Sequence, residues 1–183
     1  GGILEIGAAG SLNTTTAFNV VGGELETNND NQLNDAAVVT LTNAAGALLD
    51  LNGNNDTIGE LAGGGALGGN TTLGAGTLTI ADGNGNTYDG VISGTGGVVL
   101  TTGRQTFGGT NTFSGGLTGN AGAVIVVDAD ANLGAAGGAL ALNGAELEYG
   151  TGFSDSTRAV TLGAAGGTAD PAAHHATLNR RIG

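Results

Sequence analysis

A short apolar alternation, introduced by glycine and closed by Gly, Asn or Asp, recurs from one end of this sequence to the other. Alternation with a period of two residues predicts a strand with one buried face, and Gly and Asn clusters predict turns. Because the composition is similar throughout, the recurrence indicates one repeated architecture rather than several domains. The alternating pairs are clearest between residues 92 and 147, where they are Val98 with Leu100, Val124 with Val126, and Leu140 with Leu142.

The spacing of this unit indicates the size of the repeat. Successive starts lie 21, 23, 30, 21, 25 and 16 residues apart, which is close to the period of solenoid proteins. Three short strands and three turns would fill one such coil, and we interpret residues 62–69 in the longest interval as a protruding loop. The starts are Gly2, Gly23, Gly46, Gly76, Gly97, Gly122 and Gly138.

The pattern predicts an all-β solenoid with three-sided coils of about 20–25 residues. We assign residues 1–168 to the repeats and residues 169–183 to an irregular C-terminal tail or incomplete last coil, because Pro171 cannot donate to a strand ladder. If the coils stack, their aliphatic residues overlie one another, and we expect Leu4, Leu78 and Leu140 to line one continuous column. Outward positions such as Glu24 carry polar side chains.

Asn, Asp and Gly clusters mark the expected corners. A three-sided coil bends sharply every few residues, and those bends favour left-handed backbone that Gly and Asn tolerate. Stacked Asn side chains in successive coils would form hydrogen-bonded ladders. The expected corners are residues 28–31, 52–56, 82–86 and 143–144.

The composition agrees with a thin core. Gly contributes 39 of 183 residues, aromatic residues are 3%, and there is no Cys, Met or Trp. Low-complexity disorder lacks regularly spaced apolar strands, and a compact sandwich or α/β core needs bulkier side chains. A solenoid instead buries a narrow stack of Leu, Val, Ile and Ala in each coil. The lack of Cys excludes a disulfide scaffold and thiolate chemistry within this sequence.

The charge is strongly acidic. The chain has sixteen Asp and Glu residues but four Arg and no Lys, which gives a formal net charge of −12. This balance argues against nucleic acid and against anionic membrane surfaces as partners. The longest apolar run, residues 121–127, is too short to span a bilayer, so we expect no direct membrane insertion by this segment. We interpret the chain as a piece of a longer precursor whose signal peptide and membrane anchor would lie outside it.

Several motifs, taken in order, carry a resemblance to a known family. Together they resemble the passenger-associated transport repeat of bacterial autotransporter passenger domains. The resemblance implies a right-handed parallel β-helix, extracellular or on the cell surface of a Gram-negative bacterium. Gln105 and Gly119 depart from it, since the repeat prefers an apolar inward residue and a β-branched residue at those positions. The motifs are residues 92–97 (ISGTGG), 111–116 (NTFSGG), 120–122 (NAG) and 133–134 (LG), with flanking agreement at 49–53 (LDLNG), 57–58 (TI) and 158–163 (RAVTLG).

A pair of acidic residues is the strongest catalytic candidate. Asp128 and Asp130 would lie on one side of an extended strand, and β-helix glycosidases and lyases use paired carboxylates for acid/base chemistry. A turn after an apolar strand explains the same residues without chemistry. The chain also offers few aromatic platforms for a sugar, with two Tyr and four Phe. We favour the turn.

Other candidates are weaker. Adjacent His174 and His175 would point to opposite faces, which favours an exposed tail over a metal site. Residues 82–86 with Asp89 are similar to a calcium loop but lack its bidentate Glu. Gly94-x-Gly96-Gly97 precedes no helix, so it is not a nucleotide fingerprint. Thr-x-Thr pairs would order water in an ice-binding protein, but they recur at no constant offset and suit ordinary outward strand positions; they are Thr14/Thr16, Thr40/Thr42, Thr77/Thr79 and Thr110/Thr112.

We therefore predict a structural or adhesive segment without catalytic, cofactor-binding or metal site residues, and not an enzyme. It would act as a stalk or spacer, and copies of it would also associate with one another, end to end or laterally. The expected partners are neighbouring copies, the rest of a longer precursor, and host-surface or matrix glycans, with no nucleic acid. The alternative is a carbohydrate-binding or carbohydrate-cleaving β-helix protein.

Overall fold

The computed structural model describes residues 1–7, 9–150 and 157–171. The described part contains eighteen strands and one 3₁₀ helix, η1 (Asp130–Leu133). In chain order, the strands are β1 (Ile3–Ile6), β2 (Ala17–Val20), β3 (Gly23–Thr27), β4 (Val38–Leu41), β5 (Ala47–Asp50), β6 (Asp56–Ile58), β7 (Glu60–Gly63), β8 (Asn70–Thr72), β9 (Leu78–Asp82), β10 (Asn86–Tyr88), β11 (Ile92–Ser93), β12 (Val98–Phe107), β13 (Leu117–Gly119), β14 (Ala123–Val127), β15 (Leu140–Leu142), β16 (Ala145–Tyr149), β17 (Val160–Leu162) and β18 (Gly167–Pro171).

The strands form three parallel walls. The first wall runs β1-β3-β5-β8-β11. The second runs β6-β9-β12-β13-β15-β17, and the third β2-β4-β7-β10-β12-β14-β16-β18. The ten-residue β12 belongs to two walls, because its first half pairs with β9 and its second half with β10. Each coil contributes one strand to the third wall, so its eight strands indicate eight stacked coils. This stack confirms the predicted β-solenoid.

The strand register gives the true repeat length. Paired residues in successive coils lie between 19 positions apart, from Val98 to Leu117, and 25, from Gly63 to Tyr88. The 30-residue interval in the sequence arose because Gly46 precedes a strand of the first wall and Gly76 a strand of the second. No inserted loop is needed there. Residues 62 and 63 end β7, and residues 64–69 make the next corner, where Gly65 and Gly68 form an antiparallel bridge.

The aliphatic residues fill a continuous interior, but not with the predicted membership. Leu78 and Leu140 share one column of the second wall with Val98 and Leu117. Leu4 lies in the first wall and is 58% exposed in the first coil. The expectation of one column through all three residues was therefore wrong. Both walls use the same Gly-x-apolar-x-apolar pattern, so the pattern does not say which wall a strand joins.

In β14, the buried residues are not the alternating pair that the sequence pattern singled out. Ala123, Ile125 and Val127 are buried, whereas Val124 and Val126 face outward beside Arg104 and Thr106 of β12. All five residues of β14 are apolar, so alternation of polarity could not fix which set points inward. Burial requires the set that overlies the inward residues of the neighbouring coils.

The corners use the predicted backbone. Asn31, Asn52 and Asn84 have positive φ angles of 55°, 49° and 44°. The left-handed region is unfavourable for most side chains but accessible to Asn. The amide of Asn52 also donates to Oδ1 of Asn28, one coil earlier, at 3.1 Å. Both the corner chemistry and the Asn ladder predicted from the sequence are confirmed here.

Two buried amides, which we call the corner amides, fasten corners to the preceding coil. Oε1 of Gln32 accepts from the backbone N–H groups of residues 28 and 29, and its Nε2 donates to the carbonyls of residues 7 and 10. Asn132 makes the equivalent four bonds, to the N–H groups of residues 128 and 129 and to the carbonyls of residues 108 and 109. Each amide thus satisfies four backbone groups that the bend removes from the strand ladders.

The two departures from the family pattern have different structural consequences. Gln105 is fully buried, and its Nε2 donates to the carbonyls of Asn86 and Thr106 at 3.2 and 3.1 Å. Its Oε1 has no hydrogen-bond partner among the described residues. A Cβ on Gly119 would lie 2.7 Å from Cβ of Ala145 and 2.9 Å from Cδ1 of Ile125. Glycine is therefore required there because its neighbours already fill the interior.

Regular pairing reaches beyond residue 168. Strand β18 pairs with β16 from Gly167 to Pro171, so it crosses the predicted start of the tail and ends at the proline. The rest of the predicted tail lies outside the described residues, and the domain boundary stays a prediction. Within the described ranges, no helix is long and apolar enough to cross a bilayer.

Candidate functional site

The acidic pair lies at a corner rather than on an open wall. Asp128 is exposed directly after β14, and Asp130 begins η1. Nε of Arg158 lies 3.1 Å from Oδ1 of Asp130, and Nη2 lies 3.1 Å from Oδ2. The Asp130 carboxylate is thus held by a two-pronged ion pair, which is a structural contact between successive coils. This geometry supports the turn interpretation of the two residues.

Arg158 makes further contacts at the same corner. Its side chain is 1% exposed. Nη1 donates to the carbonyls of Ala135 and Gly138, and Nη2 also donates to that of Gly134, over 2.6–2.9 Å. We call these contacts, together with the ion pair, the Arg158 clamp. A planar guanidinium suits this task because its donors fan out in fixed directions.

Arg158 was identified from the sequence only as part of a family motif, and this clamp was not predicted. The available signal was its rarity, since the chain has four Arg and no Lys and therefore few cations to neutralise its corners. An Arg that lies one coil after an acidic corner could then have been predicted to be buried against that corner. The 28-residue separation between Arg158 and Asp130 hides the pairing in the linear sequence.

The loop that is similar to a calcium site uses its polar side chains in hydrogen bonds within the protein. Oδ1 of Asp82 accepts from the backbone N–H of Asn84 at 3.1 Å. The side-chain amides of Asn84 and Asn86 donate to Glu60, one coil earlier, at 3.0 and 2.6 Å. Among the described residues, no group of three or more His, Cys, Asp or Glu side chains could hold a metal ion.

The remaining motif candidates are placed as follows. His174 and His175 lie outside the described residues. Gly94-x-Gly96-Gly97 connects β11 to β12, so a strand follows it. The prediction that the chain has no catalytic, cofactor-binding or metal site residues stays a prediction.

Acidic side chains are concentrated on two of the three walls. On the first wall, Glu24 lies beside Glu26 and Asp50, and its pKa is raised by partial burial and then by those two carboxylates. The third wall carries an ion pair between Arg104 and Glu148. The outward charged residues are Glu5, Glu24, Glu26 and Asp50 on the first wall, and Glu60, Arg104, Glu146, Glu148 and Asp170 on the third.

The second wall differs, because its outward strand positions carry no charge. One outward column passes through Thr57, Thr79, Val99, Thr118, Ala141 and Thr161 in register. This column was not predicted from the sequence because the steps between coils are 22, 20, 19, 23 and 20 residues. Of the Thr-x-Thr pairs in the sequence, only Thr77/Thr79 contributes to it. The outward positions of this wall therefore carry small, neutral side chains, with the charged Asp82 at the exposed end of β9.

Comparison with known proteins finds a relative with an informative name. The chain is 41% identical over 142 residues to the Adhesin BmaC autotransporter of Brucella suis biovar 1 (strain 1330). The similarity covers 70% of this chain but only 4% of that protein. No family model matches the chain, and no solved structure matches it.

The similarity and the fold agree. The chain is 41% identical to an autotransporter adhesin over 70% of its length, and its strands stack as parallel coils, as the resemblance implied. Together they confirm the resemblance: this chain is similar to a β-solenoid passenger segment of an autotransporter adhesin.

Proposed function

We propose that this segment is a stalk or spacer in a surface-exposed, autotransporter-like adhesin of a Gram-negative bacterium. The observation that carries the proposal is the stack of coils, in which each strand of the described residues pairs with strands of the coils before and after it. A solenoid of this kind grows by about 4.8 Å for each coil, so its length is set by the number of repeats. Surface location is supported by the similarity to an autotransporter adhesin.

Removal of one coil tests the spacer role. Leu117 lies at the register position of Val98, so deletion of residues 98–116 removes one complete turn. We expect the shortened protein to keep its β circular dichroism and to lose about 5 Å in maximum dimension by small-angle scattering. Deletion of residues 98–107 is the matched control, because it breaks the register and should unfold the neighbouring coils. A compact particle whose length does not follow the coil number would contradict the proposal.

Adhesion is the second part of the proposal, because the relative is named an adhesin. The outward faces would contact host-surface or matrix glycans. A glycan array with the purified segment tests this, and a reducing-end assay on the bound glycans separates binding from cleavage. Binding without new reducing ends is the expected result. An array without signal would remove glycans as partners and leave the spacer role untouched.

A further inference from the structure

We propose that the second wall is the surface through which two copies of this solenoid associate side by side. The inference rests on the proposed surface role and adds a partner, a second copy of the chain, and the face that receives it.

Among the described residues, the outward-pointing strand positions of the second wall carry no charged side chain and none larger than Val. Leu162 lies in the inward phase of β17 but is 43% exposed in the last described coil. Asp82 lies at the corner where β9 ends, and the buried Asp56 points inward to the backbone N–H groups of Gln32 and Leu33. Both carboxylates therefore lie off the flat face. The outward strand residues are Thr57, Thr79, Ala81, Val99, Thr101, Thr118, Ala141 and Thr161.

The five threonines of this face present unused hydroxyl groups. Within the described residues, none of their hydroxyls hydrogen-bonds to another part of the protein. At the corners, by contrast, Thr42 and Thr102 donate to carbonyls of the preceding coil. The second wall therefore offers rows of methyl and hydroxyl groups at the regular spacing of a sheet, about 4.8 Å between strands.

The charge distribution favours this wall over the other two as the contact between copies. The whole chain carries a formal charge of −12, and the outward carboxylates lie on the first and third walls. Two copies that met through those walls would bring like charges together, which is unfavourable. On the first wall, partial burial and then the neighbouring carboxylates of Asp50 and Glu26 raise the pKa of Glu24. Contact through the second wall keeps both charged faces in solvent.

The area of the wall is sufficient for a weak pair. Six strands at about 4.8 Å spacing and three to five residues at about 3.3 Å each give a face of roughly 400 Å². Two such faces would bury about 800 Å² in total, which is the size of a weak, transient contact rather than of a stable dimer. Because the face extends with every added coil, a longer stack of similar coils would associate more tightly.

Single cysteines provide a direct test, since the chain has none of its own. Thr118 lies in the fourth of six strands of the second wall, so parallel and antiparallel pairing both bring it close to its copy. Thr106 is the matched control, a partly exposed Thr within a strand of the third wall. Under mild oxidation we expect Thr118→Cys to form about tenfold more disulfide dimer than Thr106→Cys, because pairing raises the effective thiol concentration. Equal yields would overturn the proposal.

Charge insertion tests the same face without cross-linking. Thr79→Glu with Thr118→Glu adds two carboxylates to the second wall, and Thr87→Glu with Thr106→Glu adds two to the third. In sedimentation equilibrium we expect the first variant to be monomeric and the second to dimerise like the parent chain, while circular dichroism shows both folded.

Parent dimerisation should strengthen with salt, which screens the two acidic walls. A parent chain that stays monomeric at high concentration, but keeps its rod-like scattering, overturns the pairing and leaves the spacer role intact. Loss of the rod itself would be failure of the proposed function.

Discussion

Arg158 and Asp130 are joined across 28 residues by two hydrogen bonds of 3.1 Å, one to each carboxylate oxygen. Their pairing connects the last described coil to the corner of the coil before it. The same guanidinium donates to the carbonyls of residues 134, 135 and 138, so one side chain satisfies a whole corner. The strength of this connection can be measured separately from the strand ladders.

Replacement of Arg158 by Ala should destabilise the last coil by about 2–4 kcal/mol. The change leaves buried carbonyls without donors and removes the partner of a partly buried carboxylate. Arg158→Lys should lose most of the same stability, because an ammonium cannot reproduce the planar, two-pronged geometry. Amide hydrogen exchange should show faster exchange in β17 and β18. Arg104→Ala is the control; its ion pair with Glu148 is exposed, and we expect a change below about 1 kcal/mol.

Gly119→Ala should destabilise the protein by about 1–3 kcal/mol, because the added methyl overlaps Ala145 and Ile125 in a filled interior. Gly137→Ala is the matched control, since a Cβ there would meet nothing within 4 Å. Urea unfolding of the two variants measures the difference. Equal midpoints would show that the interior around Gly119 can expand at no cost.

Gln105→Met should raise the free energy of unfolding by about 1 kcal/mol. Methionine keeps the length of the side chain and removes a buried carbonyl oxygen that has no partner within the described structure. The outward Thr106→Val serves as control, with an expected change within about 0.5 kcal/mol. Thermal unfolding by circular dichroism checks both. A less stable Gln105→Met variant would mean that the two amide donor bonds outweigh the orphaned oxygen.

Glu24→Gln should stabilise the protein increasingly as pH rises. The pKa of Glu24 is raised in the folded state, by partial burial first and then by Asp50 and Glu26. The folded state therefore keeps a proton that the unfolded chain releases near the ordinary carboxyl pKa of 4.5, so stability falls as pH rises through that region and up to the folded pKa. The variant lacks this loss. Melting temperatures between pH 3.5 and 7 should diverge upward from pH of about 4, and a constant difference would contradict the assignment.

The fold was predictable because its signal repeats. Short apolar alternations, Gly- and Asn-rich corners and a period near the low twenties are each weak, but only stacked coils satisfy all of them along the same chain. The assignment of strands to walls was not predictable in the same way. Leu4 and Leu78 have nearly identical local sequences and lie in different walls, since the wall is decided by corner lengths summed over preceding coils.

The surface features depend on the same hidden register. Thr57, Thr79, Thr118 and Thr161 share an outward column, yet no constant offset in sequence connects them. In β14, five successive apolar residues left the inward phase undetermined, and only the neighbouring coils decide it. The Arg158 clamp is a long-range contact of the same kind. A chemical pattern that is periodic in space is thus irregular in sequence when the coils differ in length.

The corner amides carry an implication for how such chains diversify. Gln32 follows a strand of the first wall, whereas Asn132 follows a strand of the third, and yet both make the same four backbone bonds. The strand with its bend is consequently one unit that works at two different corners of the coil. A duplication that adds a whole coil keeps the register of all three walls, so it can begin at either of these corners.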